Sequence, residues 1–303
     1  MSNCTLFYMK FETVDTFKKI KTESTIFRNL SVEEIKELQK ELLAILKDFS
    51  MACKNNEIPF ALGGGSALGA VRHHGFVPWD DDIDINMRRS DFERFIKAYN
   101  DDLACNYWLH YPEKNADLGL GFARLRKKGT ILKTREDYYN DESGIFIDIF
   151  FVENTFNCSI LRFFHGFLSL MTGFLLSCRN FYRNRKLYLQ INNSNIIFRI
   201  KVLIGFILSI LPVSFYCRQW NNTNRICKND KSRFVVIPVG RRHFFKELYE
   251  RKDIEKLISM KFEDTKMPVY HSYDKYLKNM YGDYMTIPSD ADKEAHLILK
   301  YEK

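Results

Sequence analysis

The sequence lacks acidic residues over one long stretch in its middle. No Asp or Glu occurs from Asn154 to Asn229, although the chain of 303 residues contains 38 acidic residues and has a net charge of +8. Ten basic residues lie in this acid-free segment, so the rest of the chain is close to neutral and the segment carries the positive bias. They are Arg162, Arg179, Arg183, Arg185, Lys186, Arg199, Lys201, Arg218, Arg225 and Lys228.

Paired cysteines and a secretory leader are also absent. The seven cysteines are scattered with no C-x-x-C pair, which argues against a zinc site and against a regular disulfide framework. A reducing cytoplasm is therefore the simplest compartment. The first twenty residues lack a basic head followed by an apolar core, so we expect no secretory signal. The apolar content of 46% suffices for one large domain or for a domain with a sizeable insertion.

Two apolar runs lie within the acid-free segment, at 163–178 and 202–217. Each has 16 residues, fewer than the ~20 needed to span a bilayer as a helix. Apolar faces flanked by arginines and lysines, worth ~1 kcal/mol each near anionic lipid, favour a helical hairpin that binds a membrane surface through 155–229. A buried hairpin packed on a sheet is the alternative. We expect no nucleic acid, because a nucleic-acid surface rarely contains two long runs of Leu, Ile and Phe.

A glycine-rich turn stands out in the N-terminal half, where Phe60 to Met87 reads FALGGGSALGAVRHHGFVPWDDDIDINM. An apolar run opens into Gly63, Gly64, Gly65 and Ser66, and the following residues can form a short helix. A strand, a glycine loop and a helix start present bare N–H groups that suit an anionic phosphate. Three glycines could also form only a tight turn.

An acidic run follows Pro78 in the sequence WDDDIDI. Side chains alternate along a strand, so Asp82 and Asp84 should face one way while Ile83 and Ile85 are buried opposite. Two carboxylates without a nearby thiolate favour Mg²⁺ or Mn²⁺ as the cofactor. A metal that faces a phosphate-binding loop indicates phosphoryl-group chemistry. The alternative, a solvated turn, would not need isoleucines between its charges.

A further carboxylate, Asp148, lies in the apolar run FIDIFF. Burying an unpaired charge costs several kcal/mol unless a metal or a partner meets it. We therefore expect Asp148 to share a metal with the other carboxylates and to help deprotonate an attacking hydroxyl. The alternative is an ion pair with a basic residue of a neighbouring strand, either Arg124, Arg126 or Lys127.

The remaining patterns predict an α/β (α+β) domain with a mixed sheet. Capping boxes at Ser31–Glu34 and Ser90–Glu93 each precede a helical apolar stripe. Extended runs are predicted at 107–111, 120–126 and 145–152, and helices at 244–262 and at 268–281.

At the glycine turn and the acidic run, GGGSALGAVRHHGFVPWDDDIDINMRRSDFERF resembles the LicD family, the phosphocholine transferases of bacterial surface glycans. The resemblance continues at 122–130, at 144–150 and in the tail at 267–296. One position departs from the family tail, which often has an arginine where this chain has Lys293. The resemblance implies a nucleotidyltransferase fold of the DNA polymerase β type, with a basic, apolar, helical insertion.

That resemblance also implies a reaction, the transfer of phosphocholine from CDP-choline or a related CDP-linked donor to a sugar hydroxyl. The acceptor would be a lipid-linked or surface glycan such as lipopolysaccharide, teichoic acid or a capsular glycan. Alternatives are a nucleotidyltransferase, a polyol-phosphate transferase or an inactive membrane-bound scaffold. Because such glycans are built on a lipid carrier at the cytoplasmic leaflet, we expect a cytoplasmic protein bound peripherally to the inner face of the cell membrane.

Site residues follow from the resemblance together with the patterns above. Asp82, Asp84 and Asp148 are expected to be both catalytic and metal-binding. The donor's diphosphate is expected to bind Gly64, Gly65, Ser66, Arg72 and Arg124. His296 would approach the site, and Tyr270, Tyr273, Tyr276 and Tyr281 could form a cage for a quaternary ammonium, although core packing is the commoner role of such tyrosines.

The domain division expected from these patterns has three parts. Residues 1–153 form the nucleotidyltransferase-like catalytic core, residues 154–232 the basic apolar insertion, and residues 233–303 a helical part that completes the catalytic domain.

Overall fold

The computed structural model describes residues 26–191, 196–289, 293 and 296–302. The expectation that the first twenty residues carry no secretory signal concerns residues outside these ranges.

The chain alternates strands and helices. Its strands are β1 (Ala61–Leu62), β2 (Asp84–Arg88), β3 (Tyr107–His110), β4 (Ala123–Lys127), β5 (Ile131–Thr134), β6 (Phe146–Asn154), β7 (Phe234–Val236), β8 (Leu248–Glu250), β9 (Leu257–Phe262), β10 (Thr265–Tyr270) and β11 (Ile298–Glu302). Its helices are α1 (Val32–Asn55), α2 (Gly64–Arg72), α3 (Arg89–Ala98), α4 (Ser159–Arg183), α5 (Arg185–Ile191), α6 (Ile196–Ile207), α7 (Val213–Asn224), α8 (His243–Lys246), α9 (Arg251–Glu255) and α10 (Tyr273–Tyr281).

A mixed sheet forms the centre of the molecule, as the sequence predicts. Its order is β1-β2-β6-β4-β3, and β7 and β8 extend it from β6 to seven strands. Strands β2 and β6 are parallel, whereas the other pairs are antiparallel. Two small antiparallel pairs, β9 with β10 and β5 with β11, lie beside it. The parallel pair brings the acidic run next to the strand that contains Asp148.

Helix α1 covers the sheet and confirms the first predicted helix. The Glu34 N–H donates to Ser31 Oγ at 3.2 Å, and the Ser31 N–H donates to Glu34 Oε2 at 2.9 Å, which completes the expected capping box. Its apolar stripe, which includes Leu38, Leu42 and Phe49, is fully buried in the main core. This helix therefore has a structural role.

The glycine turn also forms as predicted, with β1 leading into α2 at Gly64. The acidic run differs, because β2 begins only at Asp84 and the aspartates before it lie in a loop. Ile83 and Ile85 are fully buried while Asp82 and Asp84 are partly exposed, so the predicted alternation of faces is confirmed.

Three predicted elements are wrong. Helix α3 begins at Arg89 with no side-chain cap, so the Ser90–Glu93 capping box does not form. The predicted helix at 244–262 is instead α8, β8, α9 and β9 in succession. Pro268 lies inside β10, which ends at Tyr270, and the following helix begins only at Tyr273. The C-terminal part is therefore a mixture of strands and short helices.

The acid-free segment is helical, as expected. Helix α4 is 25 residues long and packs against both α6 and α7. It is longer than the apolar run that predicts it, because Ser159–Arg162 and Arg179–Arg183 extend it at both ends. The proposed boundaries of the insertion and of the two flanking parts stay predictions.

Candidate active site

The glycine turn and the acidic loop are joined through their backbones. The Gly63 N–H donates to Asp84 O at 2.8 Å, and the Asp84 N–H donates to Ser66 Oγ at 2.9 Å. Strand β1 pairs with β2 through Leu62 and Ile85, which fixes the register between the two segments. The turn and the carboxylates are therefore held against each other by main-chain contacts.

Glycine is required in this turn because the aspartates lie so close to it. A Cβ on Gly64, where φ is +40°, would lie 2.1 Å from Asp84 Oδ2, and one on Gly65 would lie 2.6 Å from Asp80 Oδ2. Both distances are far below van der Waals contact, and the positive φ also disfavours an L side chain. The glycines thus allow a backbone turn to face a group of carboxylates directly.

The three predicted metal-binding aspartates converge at the N-terminal ends of the parallel strands. Asp84 and Asp148 are partners in the β2–β6 register. Burial raises the pKa of Asp82 to about 6, His296 opposes this shift, and the charges of Asp81 and Asp148 add to it. The pKa of Asp84 is raised by burial first and then by the charges of Asp82 and Asp148. Carboxylates that repel one another in a partly buried place are stabilised by a bound cation.

The structure adds two residues to this cluster. The His296 N–H donates to Asp81 Oδ2 at 2.9 Å, and His296 Nδ1 lies 3.0 Å from Asp81 Oδ1 and 3.7 Å from Asp82 Oδ2. Asp81, Asp82 and His296 could each offer one ligand atom within 4.8 Å of the others. The expectation that His296 approaches the site is confirmed.

The donor set of the cluster fits a hard divalent cation. The carboxylate oxygens of the cluster suit Mg²⁺ and Mn²⁺. Burial lowers the pKa of His296, but the charges of Asp81 and Asp82 outweigh it and raise this pKa to about 10. The imidazolium therefore offsets part of the negative charge that a metal ion would otherwise neutralise.

Asp148 and Arg124 form a buried ion pair, which is the alternative considered for Asp148. Arg124 Nε lies 2.6 Å from Asp148 Oδ1, and Arg124 Nη2 lies 3.0 Å from Asp148 Oδ2. Both side chains are at most 4% exposed. This two-point contact occupies Nε and Nη2, two of the three guanidinium nitrogens of Arg124 that could bind a phosphate. The metal role of Asp148 and the phosphate role of Arg124 stay predictions.

The comparisons with known proteins agree with this geometry. Residues 57–165, which contain the glycine turn, the acidic loop and Asp148, match the family model described as "LicD/FKTN/FKRP, nucleotidyltransferase domain". The chain is also 27% identical over 266 residues to "Lipopolysaccharide cholinephosphotransferase LicD" from Haemophilus influenzae, an alignment that covers 87% of this chain and 96% of that one. The chain is therefore similar to the LicD family in its domain at 57–165 and to a LicD protein over most of its length.

Two shorter matches cover only a small part of the chain. An uncharacterized protein of Rickettsia prowazekii and one of Rickettsia typhi are each 40% identical over 50 residues, which is 16% of this chain. These alignments cover 19% and 16% of the two Rickettsia proteins.

Other predicted phosphate-binding groups already have partners within the protein. The Gly64 N–H donates to Tyr276 Oη at 3.0 Å, and Ser66 Oγ accepts from Asp84 as described. Arg72 Nη1 donates to Tyr284 O at 2.7 Å and to Thr286 O at 3.3 Å, which ties α2 to the segment after α10. The glycine turn is thus held by contacts within its own chain, and the phosphate roles of these residues stay predictions.

Two of the four tyrosines considered for a cage pack in the core, which is the alternative given for them, and sequence reasoning missed an asparagine. Tyr276 is 3% exposed and packs against Tyr270 at 5.2 Å between ring centroids, so both belong to the core and form no open cage. The Tyr276 hydroxyl accepts from both the Gly64 N–H and Asn86 Nδ2. Asn86 is a polar residue among the buried positions of strand β2. This pattern in the sequence could have predicted that its side chain has a buried hydrogen-bond partner.

Proposed function

We propose that this chain is a metal-dependent phosphotransferase that moves phosphocholine from CDP-choline to a sugar hydroxyl of a surface glycan. The observation that carries the proposal is the cluster of Asp82, Asp84 and Asp148 against the glycine turn, inside the region that matches the family model. The relative named for lipopolysaccharide cholinephosphotransfer aligns over most of both chains, which supports both the group transferred and the type of acceptor. A nucleotidyltransferase fold of the DNA polymerase β type is part of this proposal.

In the proposed reaction, the acceptor oxygen forms a new bond to the phosphorus of phosphocholine, and the bond from that phosphorus to the CMP oxygen breaks. The hydroxyl proton passes to a carboxylate of the cluster, and CMP leaves. A Mg²⁺ or Mn²⁺ ion at Asp82 and Asp84 would neutralise charge on the diphosphate. Gly64 and Gly65 let the donor approach the backbone, because neither position carries a side chain.

Buried charges organise the wall of the site in this scheme. The Arg124 guanidinium fixes the orientation of the Asp148 carboxylate by its two-point contact, and Phe146 packs 3.8 Å below that guanidinium. His296 holds Asp81 through two contacts and leaves Asp82 and Asp84 to face the donor. We extend the proposal to a membrane-bound location, since the acceptor glycans of this family are assembled on lipid.

A donor panel tests the proposal. The full chain is incubated with Mg²⁺, a glycan acceptor and separate CDP-linked donors, and both CMP and the modified acceptor are measured by mass spectrometry. We expect CMP release with CDP-choline and an acceptor heavier by one phosphocholine, with no product from Asp82→Asn.

Other products would identify the alternatives. An acceptor heavier by one CMP would indicate a nucleotidyltransferase, and reaction only with a CDP-polyol would indicate a polyol-phosphate transferase. If no donor gives a product, the chain is an inactive scaffold and the proposal is wrong.

A further inference from the structure

The outer side of α4 is apolar and its inner side is polar. Phe163, Phe164 and Phe167 are 49%, 57% and 45% exposed. On the inner side, buried His165 contacts Thr223 O through Nε2 at 3.0 Å, and buried Ser169 donates to Asn224 Oδ1 at 2.6 Å. A helix on the surface of a protein in water normally has the reverse arrangement.

The same apolar surface continues from α4 onto α6. The stripe of α4 that contains Phe164 and Phe167 continues along the helix to Cys178, where α6 covers it. The two helices are so close there that a Cβ on Gly205 would lie 2.1 Å from Cys178 O. The outer side of α6 then exposes Leu203, Phe206 and Ile207 at 62%, 58% and 62%. We call the six side chains Phe163, Phe164, Phe167, Leu203, Phe206 and Ile207 the apolar face. Large exposed apolar side chains concentrated on two packed helices mark an interaction site.

The charges in the segment that contains the apolar face indicate which kind of partner this face binds. No acidic residue occurs from Asn154 to Asn229. Lys186, which follows α4, and Arg218 on α7 are exposed, and Arg199 lies one helical turn before Leu203 on the outer side of α6. Exposed basic residues in the same acid-free segment as the apolar face complement an anionic bilayer, whose headgroups attract the positive charges and whose acyl boundary accepts the apolar side chains.

The polar contacts on the inner side of α4 indicate whether this helix would lie in the plane of a membrane or cross it. Within the described residues α4 is one helix that is long and apolar enough to cross a membrane, and 22% of its apolar window is buried. The segments Ile196–Ile210 and Val213–Asn224 pass the same test only together, as a pair bent by 98°. However, α4 begins a few residues after β6, and its inner side is fastened to α7 by the His165 and Ser169 contacts. Gly166 also packs against Phe244 of α8. Crossing the bilayer would carry these polar contacts and the attached domain into hydrocarbon, which disfavours a spanning helix.

We propose that the apolar face binds the surface of an anionic bilayer, with α4 and α6 lying in the plane of the membrane and the central sheet remaining outside it. This inference does not depend on the reaction proposed above.

Vesicle flotation of the full chain tests the proposal. We expect the wild-type protein to float with vesicles of phosphatidylglycerol and phosphatidylcholine at low salt, and to bind pure phosphatidylcholine less. Replacing Phe164, Phe167, Leu203 and Ile207 with Gln should weaken binding at least tenfold at any salt concentration. Met51→Gln is the matched control, because Met51 is 58% exposed on α1, away from this segment, and its replacement should change nothing.

A second variant isolates the electrostatic part. Lys186→Gln with Arg218→Gln should weaken binding several-fold at low salt, with little further effect at 1 M salt, where the Debye length is only ~3 Å. These two residues are preferable to Arg183, whose Nη2 donates to Leu118 O at 2.9 Å and thus supports the fold.

Labelling separates a helix in the membrane plane from a spanning one. In a Cys105→Ser background, exposed Cys158 before α4 and a Lys186→Cys substitution after it should both react with an impermeant maleimide added outside the vesicles. Protection of one position alone would mean that α4 crosses the bilayer and would overturn the in-plane arrangement.

Two further outcomes would overturn the bilayer as the partner. One is a wild-type protein that stays in the soluble fraction with both vesicle types at low salt. The other is a wild-type dimer that the four-residue Gln variant converts to a monomer without any change in flotation, which would assign the apolar face to a second copy of the chain.

Discussion

The sheet around the carboxylate cluster and the acid-free helices place their side chains in opposite ways. The sheet buries charge, since Arg124, Arg126, Asp137 and Asp148 are each at most 3% exposed and are paired with one another. The helices expose aromatic and aliphatic groups, of which the apolar face is the main part. A buried charge must be matched within the chain, whereas an exposed apolar group must be matched by something outside it.

The largest effect is expected at the carboxylate cluster. Asp82→Asn and Asp84→Asn should each reduce transfer at least 100-fold, because each removes a carboxylate that we propose as a metal ligand. Both variants should keep or gain stability, since a repelling charge is lost. Turnover in saturating Mg²⁺ and the unfolding midpoint are measured, with exposed Asp101→Asn as the control. Retention of more than a tenth of wild-type turnover would rule out that residue as a required ligand.

The next effect is expected at Gly64, where the glycine turn lies very close to the Asp84 carboxylate. Gly64→Ala should reduce transfer at least tenfold and destabilise the fold by about 2 kcal/mol or more, because its Cβ would collide with Asp84. Gly129→Ala is the matched control, since Gly129 has φ +78° and no atom within 4 Å of an added Cβ. It should show only the backbone cost of about 1 kcal/mol. Equal urea midpoints for the two variants would contradict the collision.

Breaking the buried ion pair should destabilise the sheet. Arg124→Met leaves Asp148 as an uncompensated buried charge and should cost about 3–5 kcal/mol in urea unfolding. The double variant Arg124→Met with Asp148→Leu should recover much of that loss, because neither charge remains. If the double variant is no more stable than Arg124→Met alone, Asp148 does not depend on Arg124 for its compensation.

A pH-dependent effect is expected at Glu247, which is 1% exposed and accepts from the Arg242 N–H at 2.7 Å. Burial raises its pKa to about 7 in the folded protein. The unfolded carboxyl ionises near its usual pKa of ~4.3, so wild-type stability should fall as the pH rises from there to about 7. The Gln side chain of Glu247→Gln does not ionise, so this variant does not lose this stability as the pH rises. Its stability relative to the wild type should therefore rise over this range by on the order of 3–4 kcal/mol and then level off.

Urea unfolding at pH 5, 6, 7 and 8 measures this difference. A constant difference between Glu247→Gln and the wild type across these pH values would show that the carboxyl does not titrate in this range.

The smallest effect is expected on the apolar face. Leu203→Gln and Ile207→Gln should each change the free energy of unfolding by less than about 0.5 kcal/mol, because both side chains are already exposed. Leu42→Ala, at a fully buried position in α1, should cost about 2–5 kcal/mol in the same urea assay. Similar losses at Leu203 and Leu42 would show that the outer side of α6 is part of a core.

Local patterns sufficed to predict much of the N-terminal half. The capping box of α1, the turn at Gly64 and the strand β6 each depend on residues close together in sequence, and the structure has all three. The convergence of Asp84 and Asp148 was expected as a shared site, and their parallel register shows how it arises. The roles assigned to the site residues stay predictions.

The exact partners in contacts between distant residues could not be chosen from local patterns. Arg124 was one of three candidates for Asp148, and the register of β4 against β6 selects it. His296 was expected at the site only from the family resemblance, and it meets Asp81 across 215 residues. The region 244–262 was misassigned because its charges repeat at helical spacing, while β9 gains its hydrogen bonds from β10. Pro268 is tolerated within β10 because that hairpin has only two strands and leaves an edge without a partner.

Strand β6 links the two regions and sets the distance between them along the chain. Asp148 lies near its beginning and Asn154 is its last residue, just before the turn into α4. At about 3.3 Å per residue the strand sets the carboxylates back by roughly 20 Å from the point where the chain turns toward the apolar face. With that face on a bilayer, such a reach would favour acceptor sugars held away from the headgroups over the sugar attached directly to the lipid.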